Sequence, residues 1–145
     1  MDSKYLGLDV GTRRIGVALS TEGGMVLPLE TVESRDIQRA AHRIVSLVAE
    51  YEACAIVYGW PLDMKGREGR AVESVKRFLG FLEAELQKKS LSLPLHRWDE
   101  RMSTMAADRL LAPARLSRER RKDAIDQVAA TEILRGFLEK EHNHG

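Results

Sequence analysis

Cysteine is nearly absent. Cys54 is the single one in 145 residues, which excludes an internal disulfide and any cysteine-based zinc cluster. Its neighbours Ala53, Ala55 and Ile56 predict a buried structural thiol. The chain also lacks an apolar run long enough to cross a bilayer, and it lacks a signal-peptide pattern. Together these predict a cytoplasmic protein with no membrane partner. A net charge of only +1 means that no global basic field points to nucleic acid. No Ser-His-Asp or Cys-His arrangement supplies a nucleophile: His42 falls in a predicted helix and His96 in a predicted strand, and both read as structural. Internal repeats and low-complexity segments are missing too. The tail His142-Asn143-His144-Gly145 reads as a polar terminus rather than a metal site.

What is present is an ordinary globular composition, 43% hydrophobic and 31% charged, which predicts one domain over residues 1–145. Residues 5–10 form a buried strand pattern. A short turn, Gly11-Thr12-Arg13-Arg14, leads to a second strand at 15–20, so the pair is an antiparallel hairpin. A third strand at 25–32 contains Pro28, which places it at an edge or at a bulge. Apolar residues at helical spacing mark helices at 36–51 and 71–88. Between them, the continuously apolar run 53–58 has the pattern of a strand covered on both faces, ended by Gly59-Trp60-Pro61. A fifth strand at 93–98, a short helix at 103–111, a basic loop at 113–122 and a last helix at 123–140 complete the chain. A hairpin meander followed by strand–helix alternation predicts an α/β fold: a five-stranded mixed sheet flanked by helices on both faces.

Three carboxylates stand out. Asp9 interrupts an apolar strand, where an unpaired charge costs roughly several kcal/mol, so it calls for a cation or for an Asx turn of its own. Gly11 beside it would let a phosphate or metal approach the backbone. Asp99-Glu100 ends the fifth strand, and alternation allows only one of them to face Asp9. The plainer alternative is a surface pair leading into the next helix. Asp126 starts the stripe Ala130, Ile133, Phe137 on the last helix, or else forms a cap pair with Asp123. Converging, the three would suit Mg²⁺, which takes one or two carboxylates and completes its octahedron with water and phosphate.

Basic residues lie next to each carboxylate in sequence. Arg13 and Arg14 follow Asp9, Lys65, Arg67 and Arg70 follow the fourth strand, and a run from Arg115 to Lys122 enters the Asp126 helix. Such residues would neutralise phosphates without reading base sequence, although a charge run is more commonly a solvated face.

Four runs carry a family resemblance: 7–18 (GLDVGTRRIGVA), 59–66 (GWPLDMKG), 98–104 (WDERMST) and 117–123 (SRERRKD), followed by Asp126, Ala129-Ala130 and Ile133-Leu134. In this order, over nearly the whole chain, they resemble the YqgF (RuvX) family, whose fold is RNase H-like and related to RuvC resolvases. Trp60, Asp63 and Met102 stand where that family usually has Leu, Asn and Leu. The resemblance implies a metal-dependent nuclease using Mg²⁺ or Mn²⁺, with Asp9, Glu100 and Asp126 as the acidic, metal-holding site. It implies phosphate contacts by Arg13, Arg14, Lys65, Arg67, Arg101, Arg118, Arg120, Arg121 and Lys122. The partner would be structured RNA such as pre-16S rRNA, trimmed at its 5′ end with or without the assembling ribosome, by a monomer or weak homodimer. Other readings are a resolvase of branched DNA, a catalytically silent RNA- or ribosome-binding factor, and an ATPase that shares the Asp9-Val10-Gly11-Thr12 turn.

Overall fold

The computed structural model describes residues 3–100 and 118–144, with side chains of the last helix described over 125–141. The elements are β1 (Tyr5–Val10), β2 (Arg14–Ser20), β3 (Val26–Glu33), α1 (Ile37–Tyr51), β4 (Ala55–Trp60), α2 (Arg70–Lys88), β5 (Leu95–Asp99) and α3 (Arg118–His144). They form the mixed sheet that the pattern predicts, in the order β3-β2-β1-β4-β5. β1 pairs antiparallel with β2 and parallel with β4, and β4 pairs parallel with β5. The carboxyl ends of β1, β4 and β5 therefore share one edge of the sheet, where their loops diverge.

Strand alternation sorts the side chains between the two faces. Leu6, Leu8, Ile15, Val17, Leu19, Ile56, Tyr58 and Trp60 join one core with the apolar stripes of α1 and α2. The intervening positions face α3, where Ala18, Val26 and Val57 pack against Ala130, Ile133, Leu134 and Phe137. The two layers of helices explain why β4 is apolar on both sides.

Local chemistry sets the boundaries. Asp36 caps α1 by accepting the Arg39 N–H at 3.1 Å, and Glu52 ends the helix with φ 55°, in the left-handed region. Pro28 lies in the edge strand β3 beside a register shift between Val17 and Ala18, so both readings of that proline hold.

Three expectations need correction. Cys54 is exposed. It precedes β4 and is held through its backbone N–H to the Lys4 carbonyl at 2.8 Å, so its apolar neighbours enter the core without it. β4 does not stop at residue 58: Gly59 pairs with Trp98 and Trp60 with Asp99, because the partner strand continues alongside. The basic stretch is helical from Arg118 onward, so Arg118, Arg120, Arg121 and Lys122 belong to the first turns of α3 rather than to a loop. Arg101, the helix expected at 103–111 and the remainder of the expected loop lie outside the described residues.

Candidate active site

On β1, Leu6 and Leu8 point into the α1/α2 core, so Asp9 points to the α3 face. On β5, Arg97 stacks over the Trp60 ring at 3.7 Å, on the α1/α2 side, while Trp98 packs toward α3. Continuing the alternation places Asp99 away from α3 and Glu100 on the same face as Asp9. The two carboxyl groups meet there and hydrogen-bond to each other. Gly59 on β4, the strand between them, makes room: a Cβ there would collide with the Glu100 carboxyl group. Of the Asp99-Glu100 pair, Glu100 is the one that faces Asp9.

Asp126 reaches the same edge from α3. Gly16 is the cross-strand partner of Asp9. A Cβ at Gly16 would lie 3.0 Å from the Asp126 Cβ and would collide with the Asp126 carbonyl oxygen. Farther along, a Cβ at Gly7 would lie 2.8 Å from the Leu134 Cβ. The helix thus rests on backbone at these glycines, and the Asp126 backbone sits against Gly16, the strand neighbour of Asp9. Gln127 fixes the rotation of this turn through a 3.0 Å bond from its amide Nε2 to Thr31 Oγ1 on β3. Among the described residues, no three His, Cys, Asp or Glu groups close into a metal-binding set. The contact between carboxyl groups is the Asp9–Glu100 pair.

The electrostatics of the pair follow from burial. Desolvation raises the pKa of Asp9, and the hydrogen bond from Glu100 offsets part of that rise. Glu100 is pushed up to about 9, first by burial, then by its hydrogen bond to Asp9 and by the charges of Asp9 and Asp99. Both shifts run in the same direction, toward the protonated form. Two like charges forced together out of water form a site that a divalent cation relieves, and all-oxygen donors suit Mg²⁺ or Mn²⁺. The donor chemistry fits such an ion.

The basic residues divide into two groups. Arg13 and Arg14 line a groove of about 350 Å³ with Thr31, Glu33 and Arg35, next to the Asp9 end of β1. In the loop after β4, Asp63 Oδ1 accepts the N–H groups of Lys65 at 2.9 Å and Arg67 at 2.8 Å, and its Oδ2 pairs with Arg67 Nε at 2.9 Å. Arg67 thus spends its guanidinium partly on shaping the loop, whereas the Lys65 side chain projects from an exposed position. The expected role of Gly11 also shifts. Its N–H bonds to the Arg14 carbonyl at 2.8 Å, and a Cβ would crowd that oxygen, so the missing side chain serves the turn itself. His42 lies 3.5 Å from Glu85 between α1 and α2, and His96 stacks on Phe137 with centroids 4.8 Å apart; both are structural, as expected.

The RuvX family, described as a Holliday junction resolvase, matches residues 3–140. The chain belongs to the RuvX family. Among its relatives in that family, a protein of Geobacillus sp. is 43% identical over 140 residues, covering 94% of this chain and 97% of its own length. One from Moorella thermoacetica is 42% identical over 143 residues, covering 98% and 99%. Both are named as candidate pre-16S rRNA nucleases. The fold of this RuvX family member is similar to that of Thermus thermophilus RuvC solved with a Holliday junction substrate, with TM-score 0.61, 12% identity and coverage of 97% and 96%. The fowlpox virus Holliday junction resolvase gives TM-score 0.54 at 11% identity, covering 96% of this chain and 99% of the viral one. These likenesses establish the RNase H-like resolvase fold.

The glycines that admit Glu100 and Asp126 are the functional residues that sequence reasoning passed over. Their signal was legible: Gly7, Gly16 and Gly59 all occupy strand positions facing α3, where a core residue would normally stand.

Proposed function

We propose that this nuclease cleaves phosphodiester bonds with divalent metal held by Asp9 and Glu100, assisted by Asp126, and that its substrate is the 5′ leader of pre-16S rRNA. The observation that carries the reading is the buried Asp9–Glu100 pair at the carboxyl edge of three parallel strands, with the Asp126 backbone against Gly16, the strand neighbour of Asp9. Bound there, Mg²⁺ or Mn²⁺ would supply an activated water and charge stabilisation at the leaving oxygen.

The residues of the chain do the rest. Asp9 and Glu100 would hold the ion at the carboxyl edge of the sheet. Trp60 and Arg97, stacked on the opposite face, brace β4 and β5 so that Gly59 and Glu100 keep their register. Arg13 and Arg14 grip phosphates flanking the cut. Lys65 and the cationic residues Arg101, Arg118, Arg120, Arg121 and Lys122 extend the contact, with Arg67 contributing what its pairing with Asp63 leaves available. The relatives' names favour RNA as substrate, whereas the family description favours branched DNA as the second reading.

Purified protein would be incubated with a labelled pre-16S 5′-leader RNA and a four-way DNA junction, each with Mg²⁺, Mn²⁺ or EDTA, beside Asp9→Asn. Metal-dependent cutting of the RNA, lost in the variant, is the expected result. Junction cutting alone would replace RNA with branched DNA. Cleavage by folded Asp9→Asn would remove the acidic pair from the mechanism.

A further inference from the structure

The basic groove at Arg13 and Arg14 does not stop at the β1–β2 turn. Arg35, which lines it, also lines a second cavity of about 180 Å³ on the opposite side of that turn. The second cavity is bounded by Gly11, Thr12, Ser34, Arg35, Ser74 and Arg77, over a floor that includes Ile15 and Phe78. Its polar wall therefore has two guanidiniums, three hydroxyls and no carboxylate. None of these α1/α2-side residues is needed by the acidic pair.

The shape is held by short bonds rather than by loose loops. Ser34 is 5% exposed; its N–H donates to the Arg13 carbonyl at 2.8 Å and its hydroxyl to the Gly11 carbonyl at 3.0 Å. It clasps the β1–β2 turn to the segment entering α1, and so sets Arg35 across from Arg13. Arg77 comes from the second turn of α2, an exposed helical position. Among the described residues it makes no ion pair, unlike Arg43 with Glu30 or Arg67 with Asp63. Arg35 meets Glu33 only at 3.8 Å, with both side chains largely exposed, a contact that a phosphate can displace.

We propose that Arg35 and Arg77, with Thr12 and Ser74, form a second phosphate-binding stretch that carries the nucleic-acid backbone around the β1–β2 turn onto the α1/α2 side, away from the acidic pair. It rests on the nuclease reading and adds a direction to it: one arm of the substrate leaves the scissile position past Asp9, over Arg13, and onto Arg35 and Arg77. Guanidiniums and hydroxyls recognise phosphate and sugar, so the stretch positions the strand without reading bases.

The test is binding in EDTA, where no turnover occurs, by fluorescence anisotropy of a labelled single-stranded RNA and a labelled RNA hairpin. Wild type, Arg35→Ala/Arg77→Ala, Arg35→Lys/Arg77→Lys and a control, Lys140→Ala at the far end of α3, would be titrated across about 50–200 mM salt. The alanine pair should bind roughly tenfold more weakly, with a salt slope shallower by about 1.4 for two lost single-strand phosphate contacts. The lysine pair should recover most of the slope, and Lys140→Ala should match wild type. Cleavage by the alanine pair should show a raised KM with kcat retained. Wild-type affinity and slope in the alanine pair would overturn the second stretch while leaving the nuclease intact. A wild type that binds but never cuts, with binding still lost in the alanine pair, would sink the nuclease and keep the stretch. Failure of wild type to bind either RNA would overturn both.

Discussion

The two faces of one sheet are built to different rules. Toward α1 and α2 the strands present Leu6, Leu8, Ile15, Val17, Ile56, Tyr58 and Trp60, large side chains that hold the helices off and fill the gap. Toward α3 the alternate positions are Gly7, Asp9, Gly16, Ala18, Val57 and Gly59, and the helix comes down onto backbone. Burying a leucine contributes roughly 1.5–3 kcal/mol; a strand glycine forgoes that and loses more entropy on folding. The thin face is therefore the costlier way to build a sheet. Its return is proximity, because there Glu100 meets Asp9 and α3 rests at Asp126 on Gly16, the strand neighbour of Asp9.

Neighbouring residues on β1 give the sharpest way to break the comparison. Asp9→Asn should lower kcat by roughly a thousandfold, about 4 kcal/mol of barrier, with thermal stability unchanged or raised; single-turnover cleavage and a melting curve decide it. Leu8→Ala, one residue away on the other face, should cost about 3 kcal/mol of stability in urea unfolding. Its activity per folded molecule should stay near wild type. A Leu8→Ala protein that folds but cannot cut would erase the division of labour between faces.

Gly16→Ala tests the thin face itself. The added methyl meets the Asp126 backbone, so α3 must lift, at about 2 kcal/mol of overpacking strain. Cleavage should fall along with stability, in contrast to Leu8→Ala. The acidic pair also has a pH signature in metal-free buffer. Glu100 titrates near 9 in the folded protein against an ordinary 4.5, so the folded state holds more protons across that window. Stability, read as Tm, should then fall as pH rises from about 4.5 to about 9. Glu100→Gln should flatten that slope, and added Mg²⁺ should raise the wild-type Tm more at pH 8 than at pH 5. A pH-independent Tm in EDTA would show that the pair is not shifted toward the protonated form. Smallest is Ser34→Ala, which removes the bond to the Gly11 carbonyl and should cost about 1 kcal/mol.

Much of this was legible beforehand because the information is local. Residues 5–10 and 37–51 show their periodicity within a few turns or pleats, and Pro28 announces an edge through its missing N–H. Where the reading failed, the deciding partner was distant. Cys54 looked buried from its neighbours, yet its backbone bond to Lys4 leaves it at the surface. Gly59 and Trp60 looked like a strand end, yet Trp98 and Asp99 extend the ladder.

The acidic site divides along the same line. Composition and order alone set Asp9 in an apolar strand that calls for a cation or an Asx turn, allowed only one member of Asp99-Glu100 to face it, and predicted helices on both faces of the sheet. Those conclusions need only the cost of a buried charge and the two-residue period of a strand. The family resemblance named Glu100 and Asp126, but only the tertiary structure showed that Glu100 bonds to Asp9, that Gly59 makes space for it, and that α3 rests at Asp126 on Gly16. The contact between residues 9 and 100 depends on the register of β1 and β5 on either side of β4, and register is settled by packing across the whole sheet.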